Sequence, residues 1–172
     1  MKLNKKKGIV VWITGISGSG KTTISRLIHK DFEKKYGKTM IFQGDELRKI
    51  LQLSSYSREG RINNGLIYSE LLRNITNQKI NVIISLIGLF KKIRKRNRKI
   101  IENYIEVFIK TSISKVIKNS TKKHYKNKKN IVGIDIKPEF PENPDIKINN
   151  NFNKKPKELS RELLKKIFLL IK

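Results

Sequence analysis

The sequence lacks cysteine entirely, which excludes disulfide bonds, thiolate metal ligands and a cysteine nucleophile. It also lacks any apolar run of the roughly 18 residues that a membrane-spanning helix needs. The basic N-terminus is followed by an apolar run that leads directly into a glycine-rich segment, whereas a signal peptide would end at small residues suited to cleavage. We therefore expect a cytoplasmic protein without membrane association.

Alanine is also absent, and acidic residues are few: 14 Asp and Glu stand against 40 Lys and Arg, which gives a net charge of +26. Such a charge is typical of nucleic-acid-binding proteins. However, abundant Lys, Ile and Asn without alanine is also the bias that an AT-rich coding sequence produces. We expect a diffusely basic surface and no nucleic-acid partner, with a basic nucleic-acid-binding protein as the alternative.

Short β-branched runs alternate with helical patterns along the 172 residues, a length that suits one domain with its own core. The patterns predict strands at residues 8–13, 39–42, 80–84 and 104–109, and helices at residues 21–36, 61–78 and 156–172. Residues 110–130 are predicted to form a helix followed by a mobile loop. On the helices we expect Ile24, Leu27 and Ile28 to face the core, and Ile67 to do so farther along. The alternation predicts an α/β fold, with a doubly wound parallel sheet flanked by helices.

A phosphate-binding loop is the most specific motif of the sequence. Residues 15–22 fit the Walker A pattern G-x-x-x-x-G-K-S/T between a predicted strand and a predicted helix. The glycines let backbone N–H groups point at a phosphate, and the helix N-terminus adds positive potential. Lys21 is expected to reach the β- and γ-phosphates of ATP, and the Thr22 hydroxyl to bind Mg²⁺. The expected ATP-binding residues are Gly15, Ile16, Ser17, Gly18, Ser19, Gly20, Lys21, Thr22 and Thr23.

Features outside the loop narrow the class of P-loop protein. A GTPase would need an N-K-x-D motif, whereas residues 127–130 end in Asn130 rather than in an acid. The third predicted strand also leads into residues 84–87, which contain no carboxylate to position a water molecule. We therefore expect a small kinase, in which the hydroxyl of an acceptor takes the place of water.

Asp45 and Arg48 follow the second predicted strand, whose carboxyl end is expected to face the ligand. A carboxylate there can take the proton of an attacking hydroxyl or help to place Mg²⁺. Arg48, one helical turn later, can hold an anionic part of the acceptor. The alternative is structural: Asp45 caps a helix and Arg48 pairs with a surface acid.

Four segments in series resemble the adenylyl-sulfate kinase family, at residues 12–23, 43–48, 56–64 and 133–145. They are similar to the family's W-I/L-T-G-x-S-G-A/S-G-K-S/T-T, D-G-D-x-I/L-R, F-S-x-x-D-R-x-x-N and G-I/V-D…P-E-x-P-D/E motifs. The resemblance implies transfer of the ATP γ-phosphate to the 3′-hydroxyl of adenylyl sulfate, with Mg²⁺. It also implies one P-loop kinase domain over residues 1–172, with a core at 8–150, a lid at about 112–130, a C-terminal helix at 156–172 and a homodimeric state.

The resemblance also implies roles for residues on the acceptor side. Asp45 would be the base or the metal-organising acid. The distal phosphate and sulfate-like groups would be held by Arg48, Arg61 and Asn64. Tyr56 stands where the family has a Phe that stacks on the acceptor base. The lid residue Lys122 and Ile87 complete the implied acceptor site.

The departures from the family pattern lie mostly on this acceptor side. Gly88 replaces a serine that carries phosphate in some members, Gln43 replaces the first acid of D-G-D, and the lid motif is altered at residues 119–125. Residues 89–98 instead resemble family members that phosphorylate cytidine diphosphoramidate, also on a ribose 3′-hydroxyl. That acceptor is one alternative, and an inactive nucleotide-binding relative is another.

Overall fold

The computed structural model describes residues 1–119 and 130–171. Within them the chain forms five strands, β1 (Val10–Thr14), β2 (Thr39–Gln43), β3 (Asn81–Leu86), β4 (Tyr104–Lys110) and β5 (Ile146–Asn149). The six helices are α1 (Lys21–Tyr36), α2 (Gly44–Ile50), α3 (Arg58–Asn77), α4 (Lys91–Ile100), α5 (Ile113–Asn119) and α6 (Pro156–Leu170). None of the helices in these two ranges is long and apolar enough to cross a membrane.

The five strands form one parallel sheet in the order β2-β3-β1-β4-β5. β1 lies at the centre, with Val10 opposite both Val82 of β3 and Tyr104 of β4. Parallel neighbours require crossover connections, and the helices that make them cover both faces of the sheet. The predicted α/β fold with a doubly wound parallel sheet is confirmed.

The core consists of two apolar layers, one on each face of the sheet. Along β1, Val10 and Trp12 belong to the layer shared with α3 and α4, whereas Val11 and Ile13 belong to the layer shared with α1 and α6. All four side chains are fully buried. Because β1 is covered on both faces, its sequence is an uninterrupted apolar run rather than an alternating one.

Two of the predicted core positions on the helices are wrong. Leu27 on α1 and Ile67 on α3 are 42% and 45% exposed. On α1 the buried stripe instead extends from Ile28 to Phe32, in steps of four residues. On α3 it includes Tyr68, the neighbour of Ile67. A helix turns by about 100° per residue, so an apolar residue beside the stripe can face solvent.

Three elements, α2, α4 and β5, are absent from the predicted set. α4 is predominantly basic and buries Ile93 with two polar side chains, so its apolar stripe is too thin to be recognised. β5 spans four residues, of which only Ile146 and Ile148 are buried. The start of α3 also lies earlier than predicted, because the Ser57 hydroxyl accepts the Gly60 N–H at 3.0 Å and caps the helix.

A buried ion pair joins α4 to the sheet. Glu106 of β4 is 3% exposed and accepts from Arg94 Nε at 3.1 Å through one carboxylate oxygen. Its other oxygen accepts from Arg98 Nη2 at 3.0 Å, and Arg98 also pairs with Asp145 before β5. The pair accounts for the one charged side chain that is buried on β4.

Replacing this buried carboxylate is expected to destabilise the fold. Glu106→Gln leaves the Arg94 guanidinium buried without its counter-charge, and we expect the free energy of unfolding to fall by about 3 kcal/mol. Urea denaturation measures the change. The matched control is Glu70→Gln, because Glu70 pairs with Arg73 and Arg96 at the surface. In this variant the free energy of unfolding should fall by less than about 1 kcal/mol. Equal losses in the two variants would contradict this account of the buried pair.

Candidate active site

A cavity of about 380 Å³ lies at the carboxyl ends of β1, β2 and β3. One wall is the phosphate loop and the start of α1, with Ser17, Gly18, Gly20, Lys21, Thr22 and Thr23. The facing walls come from the end of β2 with α2 and from α3, with Gln43, Gly44, Asp45, Arg48, Arg61, Asn64 and Tyr68. The floor is formed by the end of β3, by the segment after it and by the start of α4, with Ser85, Leu86, Ile87, Gly88, Phe90 and Ile93.

The phosphate loop takes a backbone path that requires glycine. Gly18 and Gly20 have φ angles of 75° and 88°, which L side chains rarely adopt. A Cβ atom at Gly18 would also lie 2.7 Å from a methyl group of Val116. The loop therefore keeps its backbone open to an anion, in front of the N-terminus of α1. Its geometry fits the phosphates of a nucleotide.

Asn150, which follows β5, supports this loop from behind. Its Nδ2 donates to the Ser19 carbonyl at 3.1 Å, and its Oδ1 accepts the Phe152 N–H at 3.0 Å. The side chain is buried and fixes the loop to the edge of the sheet. Sequence reasoning missed this residue because β5 was not predicted.

Lys21 is held in a buried position at the first turn of α1. Its Nζ donates to the Ile16 carbonyl at 2.6 Å and lies 3.5 Å from the Ser19 hydroxyl. Burial lowers the pKa of Lys21 from 10.5 to about 8, and the nearby negative charge of Asp45 opposes this shift in part. The charge of Lys21 is therefore stabilised only in part by these neutral groups and by Asp45, so that an anion in the cavity would stabilise it further.

A chain of neutral hydrogen bonds connects the ends of β2 and β3 to α1. Ser85 donates to Gln43 Oε1, Gln43 Nε2 donates to the Ser25 hydroxyl at 3.3 Å, and Ser25 donates to the Thr22 carbonyl at 2.9 Å. Gln43 thus acts as a neutral linker where the family has an acid. Among the described residues that line the cavity, Asp45 alone carries a carboxylate.

Asp45 and Arg48 both project from α2 into the cavity. The N-cap position of α2 is Gln43, so Asp45 lies in the first turn rather than at the cap. Arg48 Nη1 donates to the carbonyls of Leu53 and Ser55, at 3.2 and 2.7 Å, and not to a surface acid. The observed positions therefore differ from the structural alternative, in which Asp45 caps the helix and Arg48 pairs with a surface acid. They are compatible with the acceptor-side arrangement expected from the sequence.

Arg61 of α3 lies close to Arg48. Its Nε donates to the Tyr56 carbonyl and its Nη2 to the Asn130 carbonyl, each at 3.0 Å. Burial and the positive charge of Arg48 lower the pKa of Arg61 below its ordinary value. Two like charges beside one cavity create a local potential that favours an anion.

Tyr56 contacts both arginines but does not line the cavity. Its ring centroid lies 4.3 Å from the Arg48 guanidinium and 5.3 Å from that of Arg61, and its side chain is half exposed. Asn64, one turn after Arg61, lines the cavity and donates to the Ser55 carbonyl at 3.4 Å. The ring therefore stands at the outer side of the arginine pair.

The cavity brings together most of the residues that the sequence predicts. Those that line it are Ser17, Gly18, Gly20, Lys21, Thr22, Thr23, Asp45, Arg48, Arg61, Asn64 and Ile87. Gly15, Ile16 and Ser19 shape the loop without lining the cavity, and Lys122 lies outside the described residues. Tyr68, Phe90 and Ile93 were missed. Tyr68 could have been found from its spacing, since it follows Asn64 by one helical turn.

Gly88 on the cavity floor is required by the indole of Trp12. Its φ angle is 44°, and a Cβ atom there would lie 2.9 Å from Trp12 Cζ2. A serine at this position would force the buried indole to move.

Mg²⁺ would be held here mainly by ligands other than protein side chains. No group of three His, Cys, Asp or Glu residues able to hold a metal occurs in residues 1–119 or 130–171. The hydroxyl of Thr22 and the carboxylate of Asp45 both line the cavity. One or two protein oxygens, completed by phosphates and water, is the coordination that Mg²⁺ favours, so the donor set fits.

Comparison with known proteins agrees with this arrangement. The family model for adenylylsulphate kinase matches residues 7–149. The cytidine diphosphoramidate kinase of Campylobacter jejuni is 34% identical over 170 residues, which cover 96% of this chain and 99% of that protein. A probable adenylyl-sulfate kinase of Pyrococcus abyssi is 31% identical over 151 residues, 84% of this chain and 87% of that protein.

The fold is also similar to that of solved structures. The APS kinase of Mycobacterium tuberculosis, in complex with AMPPNP and APS, superposes with a TM-score of 0.84 at 24% identity, over 94% of this chain and 98% of that chain. That likeness concerns the fold. Since the family model spans most of the sequence, the chain belongs to the adenylylsulphate kinase family.

Proposed function

We propose that this chain is an ATP-dependent kinase that transfers the γ-phosphate to the ribose 3′-hydroxyl of a nucleotide bearing a small anionic group. The observation that carries the proposal is the pairing of two sites in one cavity. A phosphate loop with Lys21 and Thr22 faces a wall with a single carboxylate, Asp45, and the arginine pair Arg48 and Arg61. Two similar proteins, an adenylyl-sulfate kinase and a cytidine diphosphoramidate kinase, agree with this reaction class by name.

The phosphate-loop wall would bind ATP. Its N–H groups and the N-terminus of α1 would cradle the phosphates, and Lys21 would contact the β- and γ-phosphates. Mg²⁺, placed by the Thr22 hydroxyl with Asp45 nearby, neutralises charge on the phosphates when bound. The loop holds these groups in place before reaction, so catalysis relies on positioning and electrostatics.

The opposite wall would orient the acceptor. Asp45 accepts the proton of the attacking hydroxyl as that oxygen bonds to the γ-phosphorus, and the bond from the γ-phosphorus to the β,γ-bridging oxygen breaks to release ADP. Arg48 and Arg61 hold the anionic group of the acceptor, and Tyr56 beside them offers a ring for its base.

Two acceptors are supported by separate observations. Adenylyl sulfate is supported by the family model and by the relatives that carry its name. Cytidine diphosphoramidate is supported by similarity to the Campylobacter jejuni kinase along almost the whole of both chains. A cytoplasmic location and a homodimeric state, expected from the sequence, belong to the same proposal.

The proposal is tested by coupling ADP formation to a spectroscopic readout in the presence of Mg²⁺. Adenylyl sulfate and cytidine diphosphoramidate are supplied separately, each with a blank lacking acceptor. We expect acceptor-dependent turnover with at least one of them, and its loss in Lys21→Ala, because that variant lacks the charge that contacts the transferred phosphate. ADP release that is independent of both acceptors would overturn the proposal.

Asp45 is expected to matter for chemistry rather than for ATP binding. Asp45→Ala should lower kcat by at least about 100-fold, the usual contribution of a general base, while the Kd for ATP changes little. Steady-state kinetics and calorimetry measure the two quantities. Glu46→Gln is the matched control, since the adjacent Glu46 pairs with Arg26 at the surface and lies outside the cavity. Normal turnover in Asp45→Ala would remove Asp45 from the mechanism.

The lowered pKa of Lys21 predicts that ATP binding depends on pH. Below a pH of about 8 the free protein carries a charged Lys21, and above it the proton is lost, whereas bound phosphate favours the charged form. ATP affinity should therefore fall as the pH rises from about 7 to about 9. At a pH of about 9, ATP binding should be accompanied by proton uptake at Lys21. Calorimetry in two buffers of different ionisation enthalpy measures the uptake. An affinity that stays constant over this range would contradict the prediction.

A further inference from the structure

Tyr68 presents an unpaired hydroxyl beside the acceptor wall. It lies on α3 one turn after Asn64, its side chain lines the cavity, and it is 3% exposed. The hydroxyl has no hydrogen-bond partner among the residues that the structure describes. A buried polar group without a partner is costly and uncommon, so such a group in a binding cavity calls for a ligand.

The charges around this hydroxyl indicate which kind of ligand it would meet. Burial raises the pKa of Tyr68 above its ordinary 10; the positive charge of Arg48 opposes this shift, and the negative charge of Asp45 adds to it. The phenol therefore keeps its proton and can donate a hydrogen bond. Tyr68 also lines the same cavity as Arg48 and Asp45, the residues proposed to orient the acceptor.

We propose that the Tyr68 hydroxyl binds the small anionic group of the acceptor and thereby contributes to acceptor specificity. The inference rests on the proposed function and names a further residue of the same site. Arg48, Arg61 and Asn64 supply further donors on this wall, so an anionic group there would be surrounded by hydrogen-bond donors.

A phenol adds a capacity that the two arginines lack. A guanidinium only donates hydrogen bonds, whereas a hydroxyl both donates and accepts. Tyr68 can therefore pair with an oxygen of a sulfate and equally with the amino group of a phosphoramidate. The residue suits either of the two acceptor groups, and its loss should weaken binding of whichever nucleotide the protein uses.

The matched variants are Tyr68→Phe and Tyr36→Phe. Tyr36 also has a buried hydroxyl without a partner in the described part of the chain, but it lies at the end of α1 against Phe32 and Phe168, away from the cavity. Each variant removes one unpaired hydroxyl and keeps the ring. Neither change breaks a protein hydrogen bond, so both variants are expected to fold with an unchanged or higher Tm.

The experiment measures kcat, the KM for ATP and the KM for the acceptor in the full chain, with adenylyl sulfate and cytidine diphosphoramidate supplied separately. We expect Tyr68→Phe to raise the acceptor KM about tenfold, the effect of one lost hydrogen bond, with the KM for ATP unchanged. Tyr36→Phe should leave all three parameters unchanged.

Other results overturn the inference in distinguishable ways. An unchanged acceptor KM in Tyr68→Phe overturns it alone and leaves the proposed function standing. A fall in kcat at constant acceptor KM also overturns it, because the hydroxyl would then act on the reacting groups rather than on acceptor binding. Absence of turnover in the unmodified protein with both acceptors overturns the proposed function, and this inference with it.

Discussion

The cavity is organised around the buried ammonium group of Lys21, whose hydrogen-bond partners in the described part of the chain are a carbonyl and a hydroxyl rather than a carboxylate. The ammonium group donates to the Ile16 carbonyl, and burial lowers its pKa to about 8. The loop that provides this environment depends on the positive φ angles of Gly18 and Gly20, and Asn150 anchors it from the end of β5. The loop is thus held by its own glycines and by one buried side chain at the edge of the sheet.

The opposite wall of the cavity differs from the phosphate loop in its charges, since it combines two arginines with one carboxylate. Arg48 and Arg61 are near enough for Arg48 to lower the pKa of Arg61, which makes the wall receptive to an anion. The neutral relay through Gln43 fixes the ends of β2 and β3 without adding a second acid. Asp45 is therefore the carboxylate available to an attacking hydroxyl on this wall.

The fold and the position of the phosphate loop beside the cavity could be predicted because both depend on local patterns. β1 is an unbroken apolar run, and the glycines and Lys21 have fixed spacing. α4 could not be predicted, because it is held by a tertiary contact, the Arg94–Glu106 pair. Tyr68 was missed for a different reason: the apolar stripe read from the sequence placed Ile67 on the buried face of α3, whereas the structure buries its neighbour Tyr68. The need for glycine at position 88 likewise becomes visible only once the indole beneath it is placed.

The central claim is that both walls act on one phosphoryl transfer, and ³¹P NMR of the unmodified protein with ATP, Mg²⁺ and each candidate acceptor tests it most directly. The account predicts a new phosphate monoester resonance on one acceptor, which grows in step with ADP while inorganic phosphate stays constant. The same spectrum would contradict the account if ATP were converted to ADP and inorganic phosphate with both acceptors unchanged, or if all resonances stayed as they began.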